Sequence, residues 1–204
     1  RRAQAMRRVV LATGNAGKLA EMRAILASHD LEVIPQSVYG ISPPVEDGAD
    51  YIANALIKAR HAAAQAGLPA IADDSGLEVD ALGGRPGLHS ARYAGPAASA
   101  RDNNELLLAE LAGIPEGERA ARYRCAMVFV RDAADPLPVI TEAAWEGRIG
   151  IEPRGLGGFG FDPLFVVDGD NRTAAEMPAE EKNRVSHRGQ ALTALAAQMR
   201  EAGW

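Results

Sequence analysis

The chain has 204 residues, of which 47% are hydrophobic and 24% charged, and its formal net charge is -5. This composition is typical of a globular protein with one large domain or two lobes that share a core. The acidic charge excludes a general attraction to nucleic acid or to an anionic membrane, so an anionic ligand needs a local group of cations or a metal ion.

The first half of the sequence alternates strands and helices. A helical repeat of apolar residues follows the first strand, and a longer helix is expected at 51–66 between Asp50 as N-cap and Gly67 as C-cap. Strands are predicted at 9–12, 31–34 and 70–74.

The second half contains a predicted hairpin and several glycine-rich loops. A last helix is expected after Ser186. The remaining elements are a helix at 102–112, strands at 123–131 and 139–149, a broken strand at 161–167 and a helical turn at 178–183. This order predicts an α/β fold with a mixed sheet, which places ligands in loops at strand ends.

Location and domain organisation follow from what the sequence lacks. Cys125 is the single cysteine, so we expect no intrachain disulfide and no cysteine-rich metal site. No apolar stretch reaches the roughly 18 residues of a membrane span, and the start of the chain lacks a secretory signal. We therefore predict a cytoplasmic protein with no membrane or nucleic-acid partner.

Residues 1–204 are expected to form one domain of two lobes without a separable linker, with 1–7 disordered or left over from cloning.

The glycine turn at 13–18 is a candidate phosphate site. A helix that starts there presents backbone N–H groups and the positive end of its dipole, and Lys18 adds a full charge. The turn is not a P-loop, because two residues separate its glycines and Leu19 follows the lysine. A plain turn capped by Asn15 is an equally open alternative. The candidate phosphate contacts are Thr13, Gly14, Asn15, Ala16, Gly17 and Lys18.

Two adjacent aspartates end the third predicted strand. Asp73 and Asp74 are costly there unless positive charges compensate them, and neighbours on a strand point to opposite faces. One is therefore expected to face a ligand, and Glu46 in a nearby acidic loop offers a further carboxylate. Oxygen ligands favour Mg²⁺, or Mn²⁺ as a substitute, over Zn²⁺. The alternative is a turn capped by one of the two side chains.

Two later segments suggest recognition of a base. In 157–163, glycines surround Phe159 and Phe161, and Asp162 follows them. An aromatic ring there can stack on a nucleobase, although a core position is the commoner fate of a single phenylalanine. His187 and Arg188 begin the last helix, where cations oppose the dipole unless an anion or a carbonyl-rich base binds.

Together these segments resemble the inosine triphosphate pyrophosphatase (RdgB) family of nucleotidases. The similarity runs in the family's order through "LATGNAGK", "YIANALIKARHAA", "ADDSGLEVDALGGRPGLHSARYAG", "GGFGFDPLF" and "SHRGQAL". Two departures are Ala53, where the family often has Glu, and Phe161, where it often has Tyr or Trp. The resemblance implies an elongated mixed sheet flanked by helices, two lobes with a central cleft, and a homodimer.

The resemblance also implies roles for individual residues. The turn at 13–18 and Lys58 would contact the triphosphate, and Ser75 would contact the substrate. Glu46 and Asp74 would hold Mg²⁺, with Asp74 also the catalytic base. The implied base-recognition residues are Phe159, Gly160, Phe161, Asp162, Lys182, His187 and Arg188.

The implied reaction is hydrolysis of a deaminated purine nucleoside triphosphate (ITP, dITP or XTP) to the monophosphate and pyrophosphate, which cleanses the nucleotide pool. Water attacks the α-phosphorus. One alternative is a Maf-like pyrophosphatase of other base preference, against which the "SHR" and "FGFD" segments argue. Another is a nucleotide sensor that does not hydrolyse, against which the full set of acidic residues and Lys18 argues.

Overall fold

The computed structural model describes residues 6–204, which form two compact units. The first unit contains the chain up to Asp74 together with 126–142 and 188–204. The second contains 75–125 and 143–187. The chain therefore crosses from one unit to the other four times, the first directly after the aspartate pair and the last between His187 and Arg188.

Six strands and five α-helices are present among residues 6–204. The strands are β1 (Arg7–Leu11), β2 (Leu31–Pro35), β3 (Ala70–Val79), β4 (Ala120–Val130), β5 (Val139–Ile149) and β6 (Phe165–Val167). The helices are α1 (Ala16–Leu26), α2 (Tyr51–Ala66), α3 (Ala100–Glu110), α4 (Ala179–Val185) and α5 (His187–Glu201).

The six strands form one sheet in the order β2-β1-β3-β4-β5-β6. Strand β1 pairs in parallel with both β2 and β3, whereas β5 and β6 are antiparallel. The mixed α/β sheet predicted from the sequence is confirmed. Strand β1 ends beside the start of β3, since Val10 and Leu11 pair with Ala70 and Ile71. The glycine turn that follows β1 therefore lies near the aspartate pair, which is within β3. The predicted cleft between lobes stays a prediction.

Helix α2 packs on the sheet of the first unit through small side chains. Its buried face contacts Val10 and Val128, and an alanine-lined face lets the helix backbone lie close to the strands. The helix ends are those that local sequence predicts. Asp50 accepts a hydrogen bond from Ala53 N at 2.7 Å, and Gly67 has a left-handed φ of 64°. The alanines of the buried face are Ala55, Ala59, Ala62 and Ala63.

Helix α5 completes the core of the first unit. The apolar face expected from its spacing is fully buried. Thr141 at the start of β5 donates its hydroxyl to the carbonyl of Ala191 at 2.7 Å, which fixes the helix against the strand. The residues of this face are Leu192, Leu195, Ala196 and Met199.

The core of the second unit is rich in aromatic rings. Tyr123, Trp145 and Phe165 contact one another, and Phe161 is only 5% exposed with its ring edge-on to Tyr93. The structure thus places Phe161 in a core, which is the alternative that its sequence context left open. Cys125 of β4 is buried as expected.

Several boundaries differ from those predicted, and each difference has a local cause. Strand β3 continues through the aspartates to Val79, because cations compensate their charge (below). Helix α3 begins earlier because Ser99 is its N-cap and Asp102 completes a capping box. The segment before Phe165 is a loop in which Gly158 and Gly160 have left-handed φ values, so the last predicted strand is short. Arg7 already belongs to β1, and the rest of the predicted disordered start, except Met6, lies outside the described residues.

No helix among residues 6–204 has the length and apolar character that crossing a membrane requires.

The second unit gives a direct test of its core. Leu107 of α3 is fully buried there, whereas Leu106 on the same helix is half-buried. Replacing Leu107 by Ala should lower the free energy of unfolding by about 2–5 kcal/mol, because the change removes buried methyl groups and leaves a cavity. Leu106→Ala should cost clearly less. Urea denaturation of both variants makes the comparison, and equal losses would contradict the packing described here.

Candidate active site

The glycine turn joins β1 to α1 and is held by its own polar side chains. Thr13 Oγ1 accepts a hydrogen bond from Asn15 N at 3.1 Å, and Asn15 Oδ1 accepts one from Lys18 N at 3.0 Å. Asn15 is therefore the N-cap of α1, as the simpler interpretation of this turn predicts. The cap also fixes where the first helical turn, and with it Lys18, begins.

Lys18 is tied to the first aspartate of the pair. Its Nζ lies 2.9 Å from Asp73 Oδ2, and Arg188 Nε lies 3.3 Å from the same oxygen. Arg188 also donates from Nη1 to Glu21 of α1 at 2.6 Å. Asp73 is 1% exposed and Arg188 2%. Burial alone would raise the pKa of Asp73, but the charges of Lys18 and Arg188 outweigh it and hold that pKa well below its usual range.

The second aspartate has different surroundings. Asp74 Oδ1 lies 3.3 Å from Lys58 Nζ, and Asp74 Oδ2 accepts a hydrogen bond from Asn54 Nδ2 at 3.2 Å. Burial raises the pKa of Asp74, and the nearby charges of Lys58 and Lys18 offset this only in part. Two neighbours in the sequence thus differ in their readiness to accept a proton. Asp73 is a fixed anion, while Asp74 is the more basic carboxylate.

Lys58 links the acidic loop to the aspartate pair. Its Nζ lies 3.0 Å from Glu46 Oε2 as well as 3.3 Å from Asp74 Oδ1. Burial would lower the pKa of Lys58, but Asp73, Asp74 and Glu46 outweigh that effect and raise it. The side chain therefore stays an ammonium ion that holds two carboxylates on one side of α2.

The donor set fits Mg²⁺ only together with another ligand. Among residues 6–204, no three His, Cys, Asp or Glu side chains group closely enough to hold a metal ion by themselves. Glu46 and Asp74 do share one cation, and Mg²⁺ commonly takes one or two carboxylates and completes its shell with phosphate oxygens and water. The residues therefore suit an ion that arrives with a phosphate ligand.

In the second unit, Asp162 is the centre of a buried polar cluster. It accepts hydrogen bonds from Phe159 N at 2.8 Å, from the Tyr123 hydroxyl at 3.1 Å and from Lys182 Nζ at 2.5 Å. A Cβ on Gly158 would lie 2.1 Å from Asp162 Oδ2, so the glycine lets the loop close around the carboxylate. Both carboxylate oxygens of Asp162 accept hydrogen bonds from groups of the second unit, so the side chain holds the loop and Lys182 in place.

His187 and Lys182 each lie against an aromatic ring of the second unit. The His187 ring stacks on Tyr123 with centroids 4.6 Å apart and an interplanar angle of 9°. Lys182 Nζ lies 4.9 Å from the centre of the Phe159 ring. Both residues are 3% exposed. Two predicted base-recognition residues thus lie in one unit, each against a different aromatic ring.

The structure groups the predicted residues in two sets. The first unit holds the turn at 13–18, Glu46, Lys58, Asp74 and Arg188, and the second holds Ser75, Phe159–Asp162, Lys182 and His187. Arg188 differs from expectation, since its guanidinium group binds Asp73 and Glu21. Its expected role in base reading stays a prediction.

Sequence reasoning missed Glu21, Asn54 and Tyr123. The signal for Asn54 was present, because it lies four residues before Lys58 and so on the same face of α2. Tyr123 carried no local signal, since its partners Asp162 and His187 are distant in the chain.

Comparison with known proteins identifies the family. The model of the Ham1 family matches residues 9–198. A protein named dITP/XTP pyrophosphatase from Methylococcus capsulatus is 59% identical over 95% of this chain and 96% of that protein. One of the same name from Escherichia coli O157:H7 is 50% identical over 93% of this chain and 96% of that protein.

Solved structures give the same result. A HAM1 protein from Coxiella burnetii is 44% identical, with a TM-score of 0.87 over 96% of this chain and 100% of that chain. A structure described as a nucleoside-triphosphatase / dITP/XTP pyrophosphatase from Mycobacterium abscessus is 43% identical, with a TM-score of 0.72 over 92% of this chain and 98% of that chain. With most of its length matched in sequence and in fold, this chain belongs to the Ham1 family.

Proposed function

We propose that this protein hydrolyses deaminated purine nucleoside triphosphates, namely ITP, dITP and XTP, to the monophosphate and pyrophosphate, and so cleanses the nucleotide pool. Relatives that are 50% to 59% identical are named dITP/XTP pyrophosphatases. The observation that carries the proposal is that the pKa values of Asp73 and Asp74 are shifted in opposite directions, close to the N-terminus of α1, which carries Lys18. Asp73 anchors Lys18, the proposed phosphate-binding lysine, and its pKa is lowered by neighbouring cations, whereas burial raises the pKa of Asp74.

The turn at 13–18 is the proposed triphosphate site. Lys18 lies in the first turn of α1, where N–H groups and the helix dipole favour anions. Gly14 has no positive φ, and a Cβ there would meet only Pro43, at 3.8 Å. Backbone strain therefore does not explain this glycine, whereas close approach of a ligand does. The net charge of -5 makes such a local site of cations necessary.

Asp74 is the proposed general base. Its carboxylate is the proposed acceptor of a proton from the attacking water, and Lys58 and Asn54 hold its two oxygens in a fixed orientation. When bound by Glu46 and Asp74, Mg²⁺ would polarise that water and neutralise phosphate charge. Ser75, the next residue, is the proposed substrate contact beside the base.

The proposed cut lies between the α- and β-phosphates, with water in line with the leaving group. Negative charge then grows on pyrophosphate as it leaves. Lys18 and the N-terminal amides of α1 are the groups of the first unit that stabilise this charge. Because Asp73 and Asn15 already hold Lys18, little reorganisation is needed during the reaction.

Lys182 and His187 are the proposed base-recognition residues, with Phe159 as an aromatic support. A deaminated purine carries a carbonyl at position 6, where adenine carries an amine. A lysine ammonium group only donates hydrogen bonds, so it suits the carbonyl and leaves the amine without a partner. Such a mismatch costs about 1–3 kcal/mol in a buried site.

The assembly and setting are part of the proposal. From the family resemblance we propose a homodimer that acts in the cytoplasm on free nucleotides, without a nucleic-acid or membrane partner. The rival functions are a Maf-like pyrophosphatase of other base preference and a nucleotide sensor without hydrolysis. The substrate panel below separates all three.

The first prediction from the proposed function concerns the substrate. With Mg²⁺, purified protein should release pyrophosphate from ITP, dITP and XTP at a kcat/KM at least tenfold above that for ATP, GTP, CTP or UTP. Chelation by EDTA should abolish the release, and added Mg²⁺ should restore it. Pyrophosphate and orthophosphate are measured separately. Preference for another base would favour the Maf-like alternative, and binding of ITP without release would favour the sensor.

The second prediction concerns the base. Asp74→Asn removes the proton acceptor but keeps the shape of the side chain, so kcat for ITP should fall at least about 100-fold. The matched control is Asp168→Asn, an exposed aspartate in a loop of the second unit, which should keep kcat within about twofold. Near-normal turnover of a folded Asp74→Asn variant would remove Asp74 from the chemistry.

The third prediction concerns base choice. Lys182→Gln should lower the ratio of kcat/KM for ITP to that for ATP by about tenfold or more, because the amide can also accept a hydrogen bond from adenine. The exposed Arg184 of the same helix supplies the control Arg184→Gln, which should leave the ratio unchanged. Circular dichroism verifies folding. The same ratio in folded Lys182→Gln and wild type would show that another group reads the base.

A further inference from the structure

We infer that Asn54 is a positioning residue of the active site, whose side-chain amide joins the loop that carries Glu46 to the carboxylate of Asp74. This inference rests on the proposed function, since it assigns a catalytic purpose to the geometry of these two acids.

The amide of Asn54 makes one hydrogen bond in each direction. Oδ1 accepts from Gly48 N at 2.8 Å, and Nδ2 donates to Asp74 Oδ2 at 3.2 Å. Asn54 is 5% exposed. An amide is suited to this place because it carries an acceptor and donors on one short side chain, whereas a carboxylate at neutral pH only accepts. The residue therefore connects a backbone N–H of the acidic loop with a carboxylate of β3.

Glycine at position 48 lets the loop lie directly on α2. A Cβ at this position would lie 2.6 Å from Asn54 Oδ1 and 2.7 Å from the Cβ of Ala53, closer than side-chain atoms approach. Any larger residue would separate Gly48 N from its acceptor. Since Glu46 lies only two residues earlier, the position of its carboxylate depends on this contact.

Asn54 belongs to a polar stripe along α2 that holds the whole loop. His61 Nε2 lies 3.0 Å from the carbonyl of Ser42, and Lys58 Nζ lies 3.0 Å from Glu46. The three residues of α2 are four and three positions apart, which places them on one helical face. The stripe thus contacts the loop at Ser42, at Glu46 and at Gly48. Only Asn54 also reaches the aspartate pair through an uncharged group.

The consequence is a preorganised pair of acids. Asp74 has one oxygen on Lys58 and the other on Asn54, so its carboxylate cannot rotate without the loss of one contact. Glu46 is held relative to it through the same helix. Fixed geometry of this kind matters for catalysis, since a displacement of about 1 Å can cost about 100-fold in rate.

The experiment uses two variants that separate the two bonds. Asn54→Asp keeps an acceptor for Gly48 N–H but sets a second carboxylate against Asp74. Asn54→Ala removes both bonds. The matched control is Asn103→Ala in the second unit. Asn103 is also 5% exposed, accepts from Ala94 N at 2.8 Å and donates to the carbonyl of Ala91 at 3.2 Å.

Four quantities are measured for each protein: the unfolding temperature, kcat for ITP, KM for ITP, and the exchange rate of the Gly48 amide by NMR. Asn54→Asp should lower kcat about 100-fold while Gly48 stays protected. Asn54→Ala should lower kcat similarly and speed Gly48 exchange at least tenfold. Asn103→Ala should lose comparable thermal stability and keep its kcat.

Clear results would overturn the inference. If folded Asn54→Asp turns ITP over like wild type, or if Asn54→Ala and Asn103→Ala lose only stability, Asn54 is structural. An unprotected Gly48 amide in the wild-type protein would overturn it without any variant, even if both Asn54 variants fail to fold. Wild type that releases no pyrophosphate from any triphosphate would instead refute the proposed function, so the two failures are distinguishable.

Discussion

The ion pair between Lys18 and Asp73 is the interaction on which the rest of the site depends. A carboxylate that is 1% exposed costs several kcal/mol unless cations hold it, and Lys18 and Arg188 do so here. The pair joins the first turn of α1 to the middle of β3. It therefore fixes the glycine turn relative to the strand, and it allows β3 to continue through two adjacent acids.

The same arrangement explains how neighbouring aspartates acquire different chemistry. Asp73 has two full positive charges on one oxygen, while Asp74 shares Lys58 with Glu46 and has an uncharged amide as its second partner. Alternation along a strand sends the two side chains to opposite faces, so each meets a different helix: α1 on one side and α2 on the other. One pair of neighbouring residues thus gives a carboxylate that anchors Lys18 and a second carboxylate that we propose as the base.

Features with local causes were predictable from the sequence. The bounds of α2 are correct because Asp50 and Gly67 cap it through neighbouring residues, and the buried face of α5 follows from its spacing. The order of the motifs was enough to identify the family.

Features that depend on distant partners were not predictable. The charge of Asp73 within β3 is compensated in part by Arg188, which lies 115 residues beyond it in the chain. The motifs did not reveal that contact, and the expected role of Arg188 in base reading stays a prediction. Phe161 has a place in the core that its glycine-rich neighbours do not reveal. The grouping of Lys18, Asp73 and Asp74 was expected from the motifs, but the division of labour between the aspartates needed coordinates.

The alanines of α2 have a consequence for how this protein tolerates change. Ala55 and Ala59 directly follow Asn54 and Lys58 in the sequence, so the helix that lies on the sheet through methyl groups also carries the polar stripe. The thickness of that apolar layer sets how far Lys58 and Asn54 stand from β3. A single added methyl group at this contact would move both side chains outward together. The two alanines therefore set the distance between the helix and the strand, and with it the positions of the Lys58 and Asn54 side chains.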